Sequence, residues 1–182
     1  MRITRLSIPD VLRIEPRVFA DERGLVYESF HQARFEEVVG RKINFVQDNH
    51  STSVRNVLRG LHYQVRQTQG KLVRVVTGSV FDVAVDLRRS SPTFGQWVGE
   101  ILSADNKGEL WVPEGFAHGF LVLSEVADVV YKLTDYYAPE HERCIAWHDP
   151  QLAIDWPISG APLVSPKDAK GILFNEADCF PG

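Results

Sequence analysis

The chain has 182 residues, of which 44% are hydrophobic and 24% are charged. This composition is typical of a globular protein with a sizeable core, and the length suits one domain over residues 1–182. The net charge of −4 gives no indication of a nucleic-acid surface, and no stretch approaches the ~18 apolar residues of a membrane helix. The N-terminus carries no export signal, and Cys144 and Cys179 have no metal or redox spacing. We therefore expect a cytoplasmic protein.

The first part of the chain alternates short extended runs with one helix. Residues 3–19 are predicted to be extended, and residues 21–24 form a turn before a strand over 25–30. A helix is predicted over 32–39, because its apolar residues form one stripe and Gly40 supplies a stop.

From residue 45 to about residue 137 the pattern is strand, turn, strand. The predicted strands lie at 46–49, 58–64, 71–76, 80–87, 96–102, 109–112, 119–123 and 128–133. Many short strands separated by turn residues are typical of a β-sandwich or barrel, and not of a parallel α/β sheet. The proline-rich tail from Asp149 is predicted to wrap the barrel, with a short helix near 165–169. The predicted fold class is therefore mainly β with a few short helices.

The run over 58–64 carries unusual side chains for a half-buried strand. If Leu61 and Tyr63 face one side, then Gly60, His62 and Gln64 face the other. A concave polar face would suit an imidazole beside a bare glycine, because imidazole can take a proton near neutral pH. The alternative is a buried histidine held by one hydrogen bond.

Two arginines lie next to glycine, Arg23 before Gly24 and Arg59 before Gly60. Glycine lets a phosphate approach the backbone closely, and arginine binds phosphate in a bidentate manner. Surface solvation is the alternative. In a regular strand Arg59 is out of phase with His62, so the two could share a pocket only if a bulge intervened, and Gly60 is the natural place for it.

The run Pro113-Glu-Gly-Phe-Ala-His118 is similar to the second motif of cupin barrels, which points its histidine into the barrel. The first cupin motif needs a His-x-His, and His62-Tyr63-Gln64 breaks it. A catalytic metal needs about three protein ligands, and this pattern supplies only His62 and His118. We therefore expect no metal.

Without a metal, His62 is better placed as a general base with a carboxylate that fixes its tautomer. The candidate partners are Asp82, Asp86 and Asp168, and spacing alone does not choose among them. Asp82 and Asp86 share one face of a strand, which could line the barrel interior or face solvent.

Two further residues could act on a substrate. Tyr131 shares a strand face with Val129 and Leu133 and should point inward, either as an acid or as ordinary packing. Lys71 opens an otherwise aliphatic strand, so it either snorkels at a rim or reaches an oxyanion in a cavity.

Taken in order, six motifs across the chain resemble those of the dTDP-4-dehydrorhamnose 3,5-epimerase family. They are Arg59-Gly-Leu-His62-Tyr-Gln, Gln69-Gly-Lys71-Leu-Val, Phe81-Asp-Val-Ala-Val-Asp86, Ser91-Pro-Thr-Phe-Gly, Pro113-Glu-Gly-Phe-Ala-His118-Gly-Phe and Tyr131-Lys132. The resemblance implies a cupin-type jelly roll that forms homodimers and uses no metal or other cofactor. It also implies epimerisation at C3 and C5 of dTDP-4-dehydro-6-deoxy-D-glucose, which yields dTDP-4-dehydro-L-rhamnose for dTDP-L-rhamnose and cell-surface polysaccharide.

The resemblance assigns a role to each matched residue. His62 would be the proton-abstracting base, with Asp168 as its carboxylate partner. Tyr131 would return a proton from the opposite face, and Lys71 would steady the enolate oxygen. Eight further positions would bind the nucleotide sugar, with the first two reaching across the dimer: Arg23, Glu28, Gln47, Asn49, Arg59, His118, Glu142 and Lys167.

One residue departs from the family pattern. Cys144 stands where the family has a small, glycine-like residue, which bears on the structure of the loop near Glu142.

Several functions are alternatives to the 3,5-epimerase. The nearest alternative is a mono-epimerase, acting at C5 or C3 in an antibiotic-sugar pathway with the same base. Lys71 and Tyr131 disfavour a 3,4-ketoisomerase, and His62 together with Tyr131 disfavours a non-catalytic sugar-binding cupin. The broken first motif disfavours a metal-dependent cupin oxygenase or isomerase.

Overall fold

Two antiparallel sheets dominate the computed structural model, which describes residues 1–181. Its strands are β1 (Arg2–Arg5), β2 (Leu12–Glu15), β3 (Val18–Asp21), β4 (Gly24–Tyr27), β5 (Gln47–Val54), β6 (Leu58–Gln64), β7 (Lys71–Thr77), β8 (Ser79–Asp86), β9 (Trp97–Ser103), β10 (Glu109–Val112), β11 (Phe116–Val122), β12 (Val126–Leu133) and β13 (Glu142–Cys144). The α-helix, α1, spans Gln32–Val39, and single 3-10 turns lie at Pro139–His141, Asp168–Lys170 and Phe174–Glu176.

The strand order places neighbours together that are far apart in the chain. The six-stranded sheet runs β1-β2-β10-β7-β12-β5, and the five-stranded sheet runs β13-β6-β11-β8-β9. The hairpin of β3 and β4 forms a small sheet of its own. Long connections between antiparallel neighbours such as β6 and β11 are typical of jelly rolls. The predicted mainly-β fold class is confirmed.

Three apolar layers hold these sheets in place. The first fills the space between the sheets, with Phe120 and Val129 among its members. The second lies on the outer face of the five-stranded sheet, which the C-terminal tail covers through Trp156. The third lies on the outer face of the six-stranded sheet, where α1 presses Phe35 edge-on against Trp111 at 5.1 Å between ring centroids.

Strand β8 is buried on both faces because the tail covers the side that would otherwise meet solvent. Val83 and Val85 pack in the layer under the tail, and Asp82 and Asp86 on the alternate face are fully buried. The sequence left open whether these aspartates face solvent or interior, and they lie in the interior. Asp86 accepts hydrogen bonds from its own loop, including one from Arg88 Nε at 2.9 Å.

Local signals located some elements closely and missed others. The predicted helix is α1, and Gly40 ends it in the left-handed region at φ 78°. The strand predicted over 25–30 ends at Tyr27, and the helix expected near 165–169 is a single 3-10 turn at Asp168–Lys170. Strand β13 was not predicted. Among residues 1–181, no helix has the length and apolar character to cross a membrane.

Candidate active site

A bulge at Gly60 turns Arg59 and His62 to the same side of β6. His62 is paired with His118 and Arg59 with Phe120, so β6 uses one residue more than β11 over this span. Gly60 has φ 123°, and a Cβ there would lie 2.6 Å from the Cα of Gly119. The strand register confirms the predicted bulge, and it lies at Gly60 because only glycine fits this backbone. The side chains of Arg59 and His62 consequently line one cavity.

This cavity lies between the two sheets and is lined mainly by polar and aromatic side chains. Its volume is about 240 Å³. Seven of the predicted site residues line it, together with four that were not predicted, and all eleven are Asn49, Arg59, His62, Gln69, Lys71, His118, Phe120, Tyr131, Leu133, Tyr137 and Glu142. The two sheets therefore bring residues of six strands, β5, β6, β7, β11, β12 and β13, around one cavity.

His62 is hydrogen-bonded to a buried carboxylate at the wall of this cavity. Its Nε2 lies 2.5 Å from Oδ1 of Asp168, which is only 3% exposed and whose backbone N–H donates to Ser165 Oγ at 3.1 Å. Burial acts to raise the pKa of Asp168, but the hydrogen bond from His62 and its charge outweigh burial and hold this pKa below its usual value. Asp168 is therefore ionised at neutral pH and fixes the orientation of the imidazole.

Tyr131 reaches the cavity from the other sheet. It lies on β12 of the six-stranded sheet, whereas His62 lies on β6 of the five-stranded sheet. The side-chain amide of Asn49 donates to Tyr131 Oη at 3.3 Å, and Gln47 donates to Asn49 Oδ1 at 2.8 Å. As predicted, Tyr131 points inward, and the cavity has an imidazole and a phenol on walls built by different sheets.

Lys71 places a cationic group inside the cavity. The residue is 7% exposed, and its Nζ donates to the backbone oxygen of His62 at 3.3 Å. Burial lowers the pKa of Lys71 to about 8, against the opposing charges of Asp82 and Glu142. At neutral pH the ammonium group is still protonated, but it is less strongly so than a surface lysine.

His118 also has a buried carboxylate partner. Its Nε2 lies 2.8 Å from Oδ1 of Asp82, which has no exposed surface. The other oxygen of Asp82, Oδ2, is buried without a hydrogen-bond partner among the described residues. Asp82 is therefore the hydrogen-bond partner of His118, and Asp168 is that of His62, so the structure resolves the choice that spacing left open.

Glu142 is the centre of a polar cluster at the mouth of the cavity. Tyr137 Oη donates to Glu142 Oε2 at 2.6 Å, and Lys167 forms an ion pair with the same carboxylate. Burial acts to raise the pKa of Glu142, but hydrogen bonds from Lys167 and Tyr137 outweigh it, so the pKa is lowered. Lys167 therefore stands beside the cavity and reaches it through Glu142.

Sequence reasoning missed Tyr137, and it assigned Gln47 to substrate binding without recognising that this residue and two other glutamines hold the loop of Tyr137. Gln47 Oε1 accepts from the backbone N–H of Tyr137 at 2.9 Å, and Gln64 Oε1 accepts from that of Ala138 at 2.8 Å. Gln69 donates to the carbonyl of Asp135 at 2.9 Å. Gln64, the residue that breaks the cupin metal motif, thus positions a loop. Tyr137 has no local pattern that could have identified it, because its role depends on these distant amides.

Arg23 and Glu28 do not reach the cavity of their own chain. Arg23 has a side chain 85% exposed and forms an ion pair with Asp21 within its hairpin, at 2.5 Å. Glu28 forms an ion pair with Arg34 at 2.7 Å and lines a separate cavity beside α1.

Three potential metal-ligating groups lie close together at the wall of the cavity. They are one atom each of His62, Cys144 and Asp168, all within 4.8 Å of one another. Cys144 Sγ lies 3.9 Å from Asp168 Oδ1 and 3.6 Å from the carbonyl oxygen of Gly60. Burial raises the pKa of Cys144 to about 12, so the group is a thiol in the free protein.

The fold and the site together define a jelly-roll enzyme equipped for acid–base chemistry on a polar ligand. The sequence profile of the dTDP-4-dehydrorhamnose 3,5-epimerase family matches residues 5–176. The dTDP-4-dehydrorhamnose 3,5-epimerase of Pseudomonas aeruginosa is 66% identical over 181 residues, covering 100% of both chains. That of Salmonella typhimurium is 58% identical over 178 residues, covering 97% of each.

A solved structure agrees with these sequence matches. A dTDP-6-deoxy-D-glucose-3,5-epimerase of Legionella pneumophila, in complex with dTDP-4-keto-L-rhamnose, superposes with a TM-score of 0.95. It is 58% identical, and the match covers 97% of this chain and 94% of that one. The chain belongs to the dTDP-4-dehydrorhamnose 3,5-epimerase family. The predicted cupin-type jelly roll and the predicted function, a 3,5-epimerase of dTDP-L-rhamnose biosynthesis, are confirmed.

Proposed function

We propose that the cavity inverts C3 and C5 of dTDP-4-dehydro-6-deoxy-D-glucose by proton transfer between its two walls. The observation that supports this most directly is that His62, hydrogen-bonded to Asp168, lines the cavity from one sheet while Tyr131 lines it from the other. Inversion requires a proton to leave from one face of a carbon and to return from the opposite face, so two groups on opposed walls are needed.

His62 is the proposed base. Its Nε2 is bonded to Asp168, so Nδ1 is the nitrogen free to accept a proton from the substrate. The protons at C3 and C5 flank the C4 ketone, and their removal gives an enolate. When Nδ1 takes such a proton, the ionised Asp168 stabilises the imidazolium that forms, as a carboxylate does in a hydrolase triad.

Lys71 is the proposed partner of the enolate oxygen. Its ammonium group is fixed in the cavity wall by a bond to the backbone of His62, on the same side as the base. A charge placed in advance where negative charge develops contributes about 3–4 kcal/mol in acyl-transfer enzymes, and a similar contribution is expected here. Tyr131 then supplies the proton to the opposite face of the carbon.

The nucleotide part of the substrate is proposed to bind along the cavity mouth. Arg59 donates its Nε to Ser53 Oγ at 3.0 Å, which holds its guanidinium plane beside the bulge, and His118 is held by Asp82. Both suit the diphosphate. Tyr137, 51% exposed, offers a ring on which a thymine base can stack. The other residues proposed to bind the nucleotide sugar are Gln47, Asn49, Glu142 and Lys167.

We further propose a homodimer, acting in the cytoplasm, in which the whole chain forms one catalytic domain. The hairpin of β3 and β4 supports the dimer, because it exposes apolar side chains such as Phe19 (53%) and Val26 (68%). A lone two-stranded hairpin is marginally stable in water, so packing against a second copy would stabilise it. Such packing would carry Arg23 and Glu28 to the partner's cavity.

The experiment that tests the chemistry is solvent exchange in D2O, with purified enzyme and dTDP-4-dehydro-6-deoxyglucose followed by NMR. Deuterium should enter at both C3 and C5. His62→Ala should abolish both exchanges. Tyr131→Phe should keep exchange but lose inversion, because the base remains and the opposite donor is gone. Exchange at one carbon only would make the enzyme a mono-epimerase, and no exchange with retained binding would reject catalysis altogether.

A further inference from the structure

Three potential metal ligands lie close together at the proposed base: His62 itself, Asp168 and Cys144. The proposed reaction uses the first two and has no role for Cys144. Thiolate, imidazole and carboxylate are the ligands that bind zinc-like ions, and three protein ligands with one open position make a stable tetrahedral site. Cys144 lies on β13 directly opposite His62 on β6, and Asp168 arrives from the tail. We propose that His62, Cys144 and Asp168 form a binding site for Zn²⁺ and similar thiophilic ions, and that an ion bound there inhibits the enzyme.

The ligand atoms all lie within 4.8 Å of one another, so small side-chain adjustments would bring them to the separations that a tetrahedral ion needs. Zn–S and Zn–N or Zn–O bonds of about 2.3 Å and about 2.1 Å give ligand separations of roughly 3.3–3.6 Å in a tetrahedron. Cys144 Sγ and Asp168 Oδ1 are 3.9 Å apart, close to this range. His62 Nε2 and Asp168 Oδ1 are 2.5 Å apart and must separate by about 1 Å. The side chain of His62 is 28% exposed toward the cavity and has room to turn.

Binding balances in protons and charge. The thiol of Cys144 releases its proton to solvent as the metal–sulfur bond forms, and the proton on His62 Nε2 is lost to solvent while Nδ1 takes one up, so one proton is released in all. One thiolate and one carboxylate then neutralise the divalent ion, and water from the cavity supplies the fourth ligand. Glu142 and Lys167, whose charges both act on Cys144, already form an ion pair with each other and add little net charge.

Inhibition follows from the tautomer that the metal imposes. Nε2 must give its lone pair to the ion, so the proton of the neutral imidazole ring must sit on Nδ1. Nδ1 then cannot accept a proton from the substrate. The inhibition therefore rests on the proposed role of His62 as base, whereas metal binding itself does not.

Cysteine variants separate the site from general metal sensitivity. The full-length enzyme is titrated with Zn²⁺ and assayed by the D2O exchange, with Mg²⁺ as a hard-ion control. Zn²⁺ should abolish exchange, excess chelator should restore it, and Mg²⁺ should have no such effect. Cys144→Ser should keep its exchange activity and need about tenfold more Zn²⁺ or more. Cys179→Ser, which removes the other free cysteine, should respond as the wild type does.

Cadmium gives a readout that does not depend on activity. A Cd²⁺ titration should produce ultraviolet cadmium–thiolate absorption with one ion per chain in the wild type and in Cys179→Ser, and none in Cys144→Ser. Equal Zn²⁺ sensitivity of Cys144→Ser and wild type, or an absorption band that persists without Cys144, would overturn the site. A Cys144-dependent band without loss of exchange would instead overturn the inhibition, whereas the role of His62 as base is tested separately by the exchange of His62→Ala.

Discussion

His62 and Lys71 show how single residues acquire their chemistry from groups far away in the chain. The partner of His62 is Asp168, 106 residues further on, and it arrives on a one-turn segment of the tail. The sequence singled out His62 and Lys71 because imidazole and ammonium side chains are unusual in apolar strands, whereas tyrosine is common there and the role of Tyr131 came from the family resemblance. Spacing alone could not choose among three aspartates, because that choice depends on how a long tail folds back across a sheet, and it was the family resemblance that assigned Asp168.

The lowered pKa of Lys71 predicts an alkaline limit to activity. Burial brings this pKa to about 8, so the cation that faces the enolate is lost as pH rises through 8. We expect kcat/KM of the wild type to fall above about pH 8, because kcat/KM reports the free enzyme. In Lys71→Arg the guanidinium stays charged, so the rate should be lower but the alkaline fall should move to higher pH. A variant with an unchanged alkaline limb in its pH–rate profile would contradict the assignment.

Glu109 predicts a pH dependence of stability that is independent of the active site. It is 4% exposed, its Oε1 has no hydrogen-bond partner among the described residues, and burial raises its pKa from 4.5 to about 8 despite the charges of Arg74 and Lys132. Between these two pH values the folded protein binds more protons than the unfolded chain, so the free energy of unfolding falls as pH rises.

Glu109→Gln should remove this dependence because the amide is neutral at every pH. We expect the variant to be more stable than the wild type by roughly 2–4 kcal/mol at pH 8, and the difference to vanish near pH 4.5. Urea denaturation at both pH values measures it. Glu125→Gln, at an exposed position, is the control and should change stability little. Equal destabilisation of Glu109→Gln at both pH values would show that the carboxylate has a structural role instead.

At the scale of elements, the parts of the fold found from sequence are those with local causes. Helix α1 has its own apolar stripe and a left-handed glycine at its end, and its bounds were predicted correctly. Strand β13 has three residues and no local signal, and it exists because it pairs with β6. The bulge in β6 was predictable because Arg59 and His62 could not otherwise share a face, which is a local geometric conflict.

The bulge predicts an unequal cost for two glycine substitutions. In Gly60→Ala the new Cβ would meet backbone atoms, at 2.6 Å from Gly119 Cα and 2.7 Å from His118 O, and φ is 123°. Gly160, at φ 96° with nothing within 4 Å, needs the same backbone region without the clash. We expect Gly160→Ala to cost about 1 kcal/mol and to keep activity.

Gly60→Ala should cost more than about 2 kcal/mol and lose most of its activity, because relief of the clash separates β6 from β11 and moves Arg59 relative to His62. Thermal unfolding and the exchange assay measure the two effects. If both alanine variants behaved alike, strain at φ alone would account for the glycine, and the close approach of the strands would not.

At the scale of the whole molecule, the cavity of one chain lacks two of the residues that the sequence assigned to it. Arg23 and Glu28 lie on the apolar hairpin and on the segment after it, and both form ion pairs within their own region. The neighbouring glycine indicated Arg23, and the family resemblance assigned both Arg23 and Glu28, but their placement relative to a cavity depends on the proposed second copy. The proposed site therefore has two parts: the cavity, which one chain forms alone, and Arg23 and Glu28, which would reach it only in the dimer.

Complementation between two inactive variants tests that division. Arg23→Ala and His62→Ala should each be inactive or nearly so as homodimers. In a mixed dimer, the chain that keeps His62 would receive Arg23 from its partner, so one complete site would form. Because random pairing makes about half the dimers mixed, activity near a quarter of the wild-type value is expected after co-expression. If Arg23 served its own chain's cavity, no complete site would form in any pairing, and the mixture would stay as inactive as its components.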